Sequence, residues 1–472
     1  MLEPSATTTH VRIAERVAVH SDSRSARFLS AAAVLFVAGW LVLLVAHAGY
    51  LRHPDFDEIL WPLTVLLCVG FIARGIFLGR PVTYGHAAWA AVAVLTALAS
   101  SVLQFERTGD VLVVASGLIL MWPTSARAQP EALAEVCALV AATRDDPLAV
   151  FAMHSRKSYY FSADRTAAVA YRTRGGFAVV GGDPIGDESR FPALIGDFAA
   201  MCRSHGWRIA ILGCGERCLP LWSDAREIGH HLHAVAVGRD VVVDVQAFDL
   251  VGRKYRNLRQ GVQRTHNAGM TTEIVDERTL DSATRAELRE VMELSHGGRF
   301  ERGFSMILDG ALLGRYPGIR LIIARDDLGM VQGFHRYATS GGGADVSLDV
   351  PWRRPGAPNG IDERLTIDMI ARAKSDGTRR LSLAFAAFPE IFAEKERTRW
   401  HRLCYSAIHV LDPLIALESL YRYLRKFHAL GDRRYVLVQM SAVPLVAFAL
   451  LSLEFAPRLR PSARRLSGVK FL

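Results

Sequence analysis

The spacing of hydrophobic positions changes character near Pro123. Ahead of it lie four unbroken apolar stretches, 28–50, 59–78, 87–105 and 111–122, separated by short polar segments. A bilayer-spanning helix needs about 20 apolar residues. The first and third stretches are long enough. The second carries Arg74 near its end, where a long side chain reaches the headgroups, and the fourth is short enough for a buried core helix. Four spanning helices are the expectation. Beyond Pro123 the apolar positions come in short alternating or helical runs. They predict a helix at 131–143, strands at 159–162, 167–171 and 176–180, a helix at 191–205, and strands at 208–213, 233–237 and 241–245. The order then returns, with a helix at 282–295, strands at 320–324, 331–338 and 344–348, a helix at 362–375 and a strand at 380–384. Helix, antiparallel strands, helix, strand, given twice, predicts two copies of one α+β unit. The expected architecture is an α-helical transmembrane bundle followed by an α+β domain. Its divisions are an N-terminal segment 1–27, the spans 28–123, a domain 129–435, and an apolar helix with a basic tail at 436–472.

Charge sets the orientation. Arg12, Arg16, Arg24 and Arg27 precede the first stretch, Arg74 and Arg80 separate the second from the third, and Arg127 follows the fourth. Cationic loops stay on the cytoplasmic side, so the chain reads as a multi-pass inner-membrane protein with its large domain in the cytoplasm. A cleavable leader ending near Ala46-His47-Ala48 is the competing reading, weakened by the apolar stretches that follow. Nearly all of the net charge of +9 falls after Arg127. A basic domain held at a membrane attracts anionic headgroups and nucleic acid alike. The apolar run 435–455 is long enough to span, but Gln439 and Pro444 interrupt it and five cations follow, so a helix buried in the domain or lying on the inner leaflet is preferred. The six cysteines lack paired metal-ligand spacing and read as reduced thiols, and His230, His231 and His233 lack a further ligand, so no metal is expected.

Between the two copies, residues 252–267 form a cationic segment. On a helix, Arg256, Arg259, Gln260, Gln263, Arg264 and Asn267 fall three or four apart and share a face. Guanidinium groups bind phosphate oxygens bidentately and amides add hydrogen bonds, so the stripe suits a chain of phosphates. An ordinary solvated face is the plainer reading, but no acidic residue at i+4 neutralises it.

Several ordered motifs extend the picture: Lys157-Ser158-Tyr159-Tyr160-Phe161, Gly182-Asp183-Pro184-Ile185-Gly186-Asp187, Arg256-Asn257-Leu258-Arg259-Gln260, Ser347-Leu348-Asp349, Pro358-Asn359-Gly360-Ile361-Asp362-Glu363, 381–385, and Leu420-Tyr421-Arg422 with Lys426-Phe427. From about 131 to about 438 they resemble the cytoplasmic domain of the phosphatidylglycerol lysyltransferases, the multiple peptide resistance factor family. The resemblance implies two tandem acetyltransferase-like (GNAT) folds. It implies transfer of a lysyl or similar aminoacyl group from aminoacyl-tRNA to a glycerol hydroxyl of phosphatidylglycerol, altering membrane surface charge. The partners would be charged tRNA, phosphatidylglycerol and other anionic lipids, with no DNA, no cofactor and no CoA. The pyrophosphate loop of CoA enzymes is absent, 353–358 coming nearest and failing at its last residue.

An aminoacyl ester is already activated, so moving it between hydroxyls asks for a carboxylate to hold the amino group or help deprotonate the acceptor, and a donor for the oxyanion. Under the resemblance Asp349, at the end of a strand, is the first candidate and Glu363 the second. Asp183 is a substrate contact or simply a turn cap. Asn359 and Lys426 join Arg256, Arg259, Gln260 and Arg264 as contacts to phosphate, tRNA or lipid. Where the family often has Arg three residues after this Asp, the chain has Trp352. Arg353 serves in its place if the loop shifts by one, but Pro351 makes the backbone locally unlike the family pattern. Two alternatives stay open: a degenerate membrane-tethered module binding anionic lipid or RNA, and a tRNA-dependent peptidoglycan-bridge peptidyltransferase.

Overall fold

A computed structural model describes residues 17–19, 24–45, 56–103, 105–224, 226–296, 304, 306–387 and 417–454. The expectations on Arg12, Arg16, Ala46-His47-Ala48, Cys404 and the basic tail after residue 454 fall outside them. The chain divides into two compact units, one of residues 1–125 with 199–208, the other of 126–198 with 209–472.

Among the described residues, the first unit contains four helices, α1 (Arg24–Val45), α2 (Phe56–Phe77), α3 (Tyr84–Val102) and α4 (Glu106–Leu120), and a short strand pair, β1 (Val17–Val19) with β2 (Val82–Thr83). Helix α1 packs on α2, and α4 packs on both α2 and α3. Small residues are buried between the helices, among them Ala31, Ala38, Ala73, Ala90, Ala93 and Ala97, while Phe36, Trp40, Trp89 and Leu95 face outward. Small side chains let backbones approach closely, as in helix pairs within lipid. The four apolar stretches thus emerge as four helices. By length and composition one of them, through Ser25–Leu44, is long and apolar enough to cross a membrane.

The second unit is built on a 12-stranded mixed sheet. Its first half contains α5 (Leu133–Ala142), the antiparallel meander β3 (Ser158–Phe161), β4 (Ala167–Arg174) and β5 (Phe177–Gly181), and the two-residue β6 (Ile185–Gly186). It continues with α6 (Phe191–Ser204), β7 (Arg208–Gly215), α7 (Leu219–Asp224) and β8 (His233–Asp244). The second half contains α8 (Arg256–Asn267), β9 (Thr271–Asp276), α9 (Ser282–His296) and the meander β10 (Ile319–Arg325), β11 (Val331–Ser340) and β12 (Asp345–Arg353). Then come α10 (Ile361–Ser375), β13 (Arg380–Ala387), α11 (Leu417–Leu424), β14 (Leu430–Val438) and α12 (Val443–Glu454). Helix, meander, helix, strand occurs twice, as the sequence pattern predicts; the further helix and strand that close each half, α7 with β8 and α11 with β14, extend that pattern.

The strand order is β3-β4-β5-β7-β14-β8-β13-β12-β11-β10-β9, with the twelfth strand, β6, pairing β4 off this path. The last strand of each half has therefore crossed into the other: β14 pairs with β7, and β8 pairs with β13. The two also pair with each other, closing one continuous sheet.

Three expectations are corrected. The strands expected at 233–237 and 241–245 are the single β8, because Gly238 and Arg239 continue the pairing with β13 and β14. The run 435–455 is not one helix. Its first residues complete β14 inside the sheet, and α12 begins only at Val443, so the division at residue 435 cuts through a strand. Strand β12 does not end at Asp349 but runs to Arg353, with Pro351 opposite His335. Proline is tolerated there because β12 and β13 pair in parallel only through Asp345–Ser347 and Arg380–Ser382, so the missing N–H falls on an edge without a partner strand.

Candidate active site

Two glycines set the geometry. Gly360 has φ +108, and a side chain there would place Cβ 2.4 Å from the Gly261 carbonyl oxygen. Without side chains, α8 and the start of α10 cross closely. The crossing brings Arg264 Nε within 3.4 Å of the Asn359 carbonyl oxygen. On α8, Leu258, Gly261 and Thr265 are buried, while Arg256, Arg259, Gln260, Gln263, Arg264 and Asn267 are exposed, so the cationic stripe is the solvent face as read from spacing. Arg259 is partly engaged: its Nη1 donates to the carbonyls of Leu250 and Gly252, both at 2.8 Å.

The first turn of α10 collects the remaining groups. Glu363 is buried and paired with Lys426, which follows α11 and is partly exposed. Asp362 accepts from the exposed Arg353 Nη1 at 3.2 Å on one oxygen, and from His335 Nε2 at 3.2 Å on the other. His335 Nδ1 faces the Tyr337 hydroxyl at 3.4 Å, and Tyr337 meets Thr366, which also bonds the Tyr423 hydroxyl. Burial works against the Asp362 charge, but the His335 hydrogen bond and the nearby charges of His335, Arg353 and Lys426 outweigh it and hold its pKa below the usual carboxylate range. Burial pushes the Tyr337 and Tyr423 hydroxyls well above theirs, so both keep their protons.

Glu363, Arg353, Asn359, Arg264 and Lys426 are thus brought to one place, beside the α8 stripe. Asp349 and Asp183 lie in separate buried ion clusters. Asp349 is the extra residue of a β-bulge, since Arg336 pairs with Val350 and Tyr337 with Leu348. Its carboxylate accepts from Leu308 N–H and from Arg336 Nη1, each at 2.8 Å, and Arg336 also binds Glu277 at 2.6 Å. Arg336 and both carboxylates are fully buried, and burial raises the Asp349 pKa against the pull of Arg336. The bulge also turns Trp352 inward, where it is buried and stacked on Phe334 with ring centroids 4.8 Å apart. At this position the chain has a core side chain, and the exposed cation is Arg353.

Asp183 shares Arg434 with two other carboxylates. Arg434 donates to Asp146 at 2.9 Å, Asp183 at 2.9 Å and Asp240 at 2.8 Å, and Asp183 also accepts from Gly215 N–H. Burial pushes the Asp240 carboxyl up to about 6 and raises that of Asp183, with Arg434 opposing both shifts. Asp183 is therefore more than a turn cap: it ties the first half of the sheet to β14.

Sequence reasoning missed His335, Asp362, Thr366 and Tyr423. The signal available was the i, i+2 spacing of His335 and Tyr337, which puts both on one face of a strand. Asp362 stood beside the chosen Glu363 in the Pro358-Asn359-Gly360 motif.

Residues 137–438 match the family model described as phosphatidylglycerol lysyltransferase, C-terminal. The match makes the second unit a domain of the lysylphosphatidylglycerol synthase class, a class of transferases. The chain belongs to the phosphatidylglycerol lysyltransferase family. It is 60% identical over 450 residues to the MprF-like domain protein Rv1619 of Mycobacterium tuberculosis, covering 94% of this chain and 93% of that protein. It is 27% identical over 380 residues to the lysylphosphatidylglycerol biosynthesis bifunctional protein LysX of Rhodococcus jostii, covering 78% of this chain and 32% of LysX. The chain thus spans about a third of that bifunctional relative. Two solved structures share the fold. One is the C-terminal DUF2156 domain of an Agrobacterium fabrum protein assigned as a lysylphosphatidylglycerol synthetase (TM-score 0.59, 22% identity, 69% of this chain and 98% of that one). The other is L-PGS from Bacillus licheniformis (TM-score 0.58, 20% identity, 66% and 94%).

Proposed function

We propose that this chain transfers an aminoacyl group, lysyl or one like it, from charged tRNA to a glycerol hydroxyl of phosphatidylglycerol at the cytoplasmic face of the inner membrane. In this reading α1 to α4 form the multi-pass anchor, and the reaction takes place where α8 crosses the start of α10. The observation that carries it is the gathering of Glu363, Lys426, Arg353 and Arg264 beside an exposed cationic helix face. Both substrates carry phosphate charge, tRNA along its whole backbone and phosphatidylglycerol on its one phosphodiester, and a cationic track beside a buried carboxylate suits their meeting.

The glycerol oxygen bonds to the ester carbonyl carbon and the tRNA ribose oxygen leaves. One proton passes from the glycerol hydroxyl to that leaving oxygen. Glu363 is the carboxylate assigned to carry the proton or to hold the aminoacyl amino group. Lys426 and Arg353 are the cations assigned to charge developing on oxygen. Asp362 and His335 orient Arg353. Asp349, fully engaged by Arg336 and Leu308, maintains the bulge that separates Arg353 from the core. The test is mass spectrometry of lipids extracted from cells with and without the chain. A phosphatidylglycerol species heavier by one aminoacyl residue is expected, and its mass names the amino acid. Absence of such a species, with normal expression and charged tRNA, overturns the reading.

The α8 track makes a separate prediction. Arg256→Glu with Arg264→Glu is expected to weaken tRNA binding by at least tenfold and to flatten its salt dependence, since each lost phosphate contact lowers the number of counterions released. Arg259 is spared because it also holds the 250–252 loop. Filter binding across a salt series checks this, and an unchanged slope would remove the track from the reading.

A further inference from the structure

Up to its last residue, Glu454, helix α12 is apolar on every side. One face is buried: Val446, Ala449 and Leu453, with Ala442 just ahead of the helix, pack in one cluster with Phe177, Val179 and Val438. The other face is equally apolar yet open, with Phe448 68% exposed and Leu445 and Leu451 each 47% exposed. Between Val443 and Leu453 there is no charged residue, and Ser452 is the one hydroxyl. A helix resting on a protein in water ordinarily turns a polar face outward, and one apolar all round belongs in a core or in lipid. At 12 residues α12 is about 18 Å long, well short of a hydrocarbon core of roughly 30 Å. It therefore does not span. The 18 residues after it, 455–472, contain Arg458, Arg460, Arg464, Arg465 and Lys470 and no acidic residue. Among the described residues one exposed cation is bonded to α12: Arg174 on β4 donates Nε to Ser452 Oγ at 3.1 Å.

We propose that α12 lies in the plane of an anionic bilayer surface, with Phe448 and Leu451 at the acyl boundary and the cations around it at the headgroups. Apolar side chains supply the insertion, and juxtaposed basic residues add attraction to anionic lipid. The inference rests on the membrane part of the proposed function and adds a second contact made by the sheet domain itself. Because α12 follows directly from β14 and packs on the sheet, its contact orients that domain at the surface.

The test uses the full chain in lipid nanodiscs, with Cys404→Ser, the other five native cysteines being buried, and one added cysteine at a time carrying an environment-sensitive fluorophore. The labels sit at Phe448→Cys, at Leu35→Cys in α1 and at Leu328→Cys, the last replacing a turn residue that is 82% exposed. The quenchers are lipids bearing a spin label high or low on the acyl chain. The expected result is strong quenching of the 448 label by the shallow quencher and weak quenching by the deep one, rising with the phosphatidylglycerol content of the disc. The 35 label should respond to the deep quencher and the 328 label to neither. Quenching at 35 but not at 448 overturns this inference alone and leaves the membrane anchor standing. No quenching at either site overturns both. A 448 label quenched equally in neutral discs removes the anionic surface, and one crosslinked to a second copy replaces the bilayer with a protein partner. Phe448→Asp with Leu451→Asp, both outward, should abolish the response of a label at Leu445→Cys without changing that at 35.

Discussion

Replacing Arg434 by methionine is expected to unfold the second unit or to destabilise it by about 3–5 kcal/mol, the range for removing one partner of a buried ion cluster. Three carboxylates, Asp146, Asp183 and Asp240, would be left buried without their cation. They come from the first half and the crossed strand β8, while Arg434 sits on β14, so the loss falls where the two halves are joined. Denaturant titration of the full chain in detergent, followed by intrinsic fluorescence, measures it, and a midpoint close to the parent's would remove the cluster from the stability argument. Asp240→Asn is the counterpart. The native Asp240 carboxyl is raised to about 6, so the folded state holds its proton more tightly than the unfolded chain. Its contribution to stability is greatest below the unfolded value near 4 and is lost as pH rises through about 6. The asparagine variant should therefore fold at neutral pH and lack that fall between pH 4 and 6.

Glu363→Gln is expected to lower aminoacyl transfer by about a hundredfold or more, within the span typical of a removed proton-transfer group. Glutamine keeps the shape and the hydrogen bond from Lys426 but removes the charge. Stability should change little and tRNA binding should persist, because the α8 face is untouched. Single-turnover assay with charged tRNA and phosphatidylglycerol vesicles separates these effects. Parent-like turnover would remove Glu363 from the chemistry. Asp349→Asn acts differently: it weakens the pairing with Arg336 and is expected to appear first in the unfolding midpoint.

The elements were legible where hydrophobic period and length agreed. The four apolar stretches, the two meanders and the α8 stripe follow from spacings of two or of three and four. What escaped depends on long-range pairing. The alternation along β12 breaks at Asp349 because the bulge inserts one residue, so counting placed Asp349 at a strand end and left Trp352 as a lost ligand. The run after Tyr435 reads as one apolar segment because a central strand and a lipid-like helix both require apolar residues; Gln439 and Pro444 interrupt it, but the interruption does not say that strand gives way to helix there. Asp183 was seen as a turn residue because its partner Arg434 lies 251 positions away. For the same reason the motifs of the family resemblance could bring Glu363 and Lys426 into view, but nothing in the sequence joined His335 to Asp362 behind Arg353.

The crossed strands also impose a timetable on synthesis. Strand β7 ends at Gly215, yet its neighbour β14 begins at Leu430. At roughly 5–20 residues per second, the ribosome needs on the order of ten to forty seconds to supply the missing strand. Throughout that interval the nascent first half has an open, hydrogen-bond-hungry border, a template for pairing with other chains. In the proposed membrane reading, anchoring by α1 soon after it emerges would keep neighbouring nascent copies apart on the membrane plane while the residues between Gly215 and Leu430 are made.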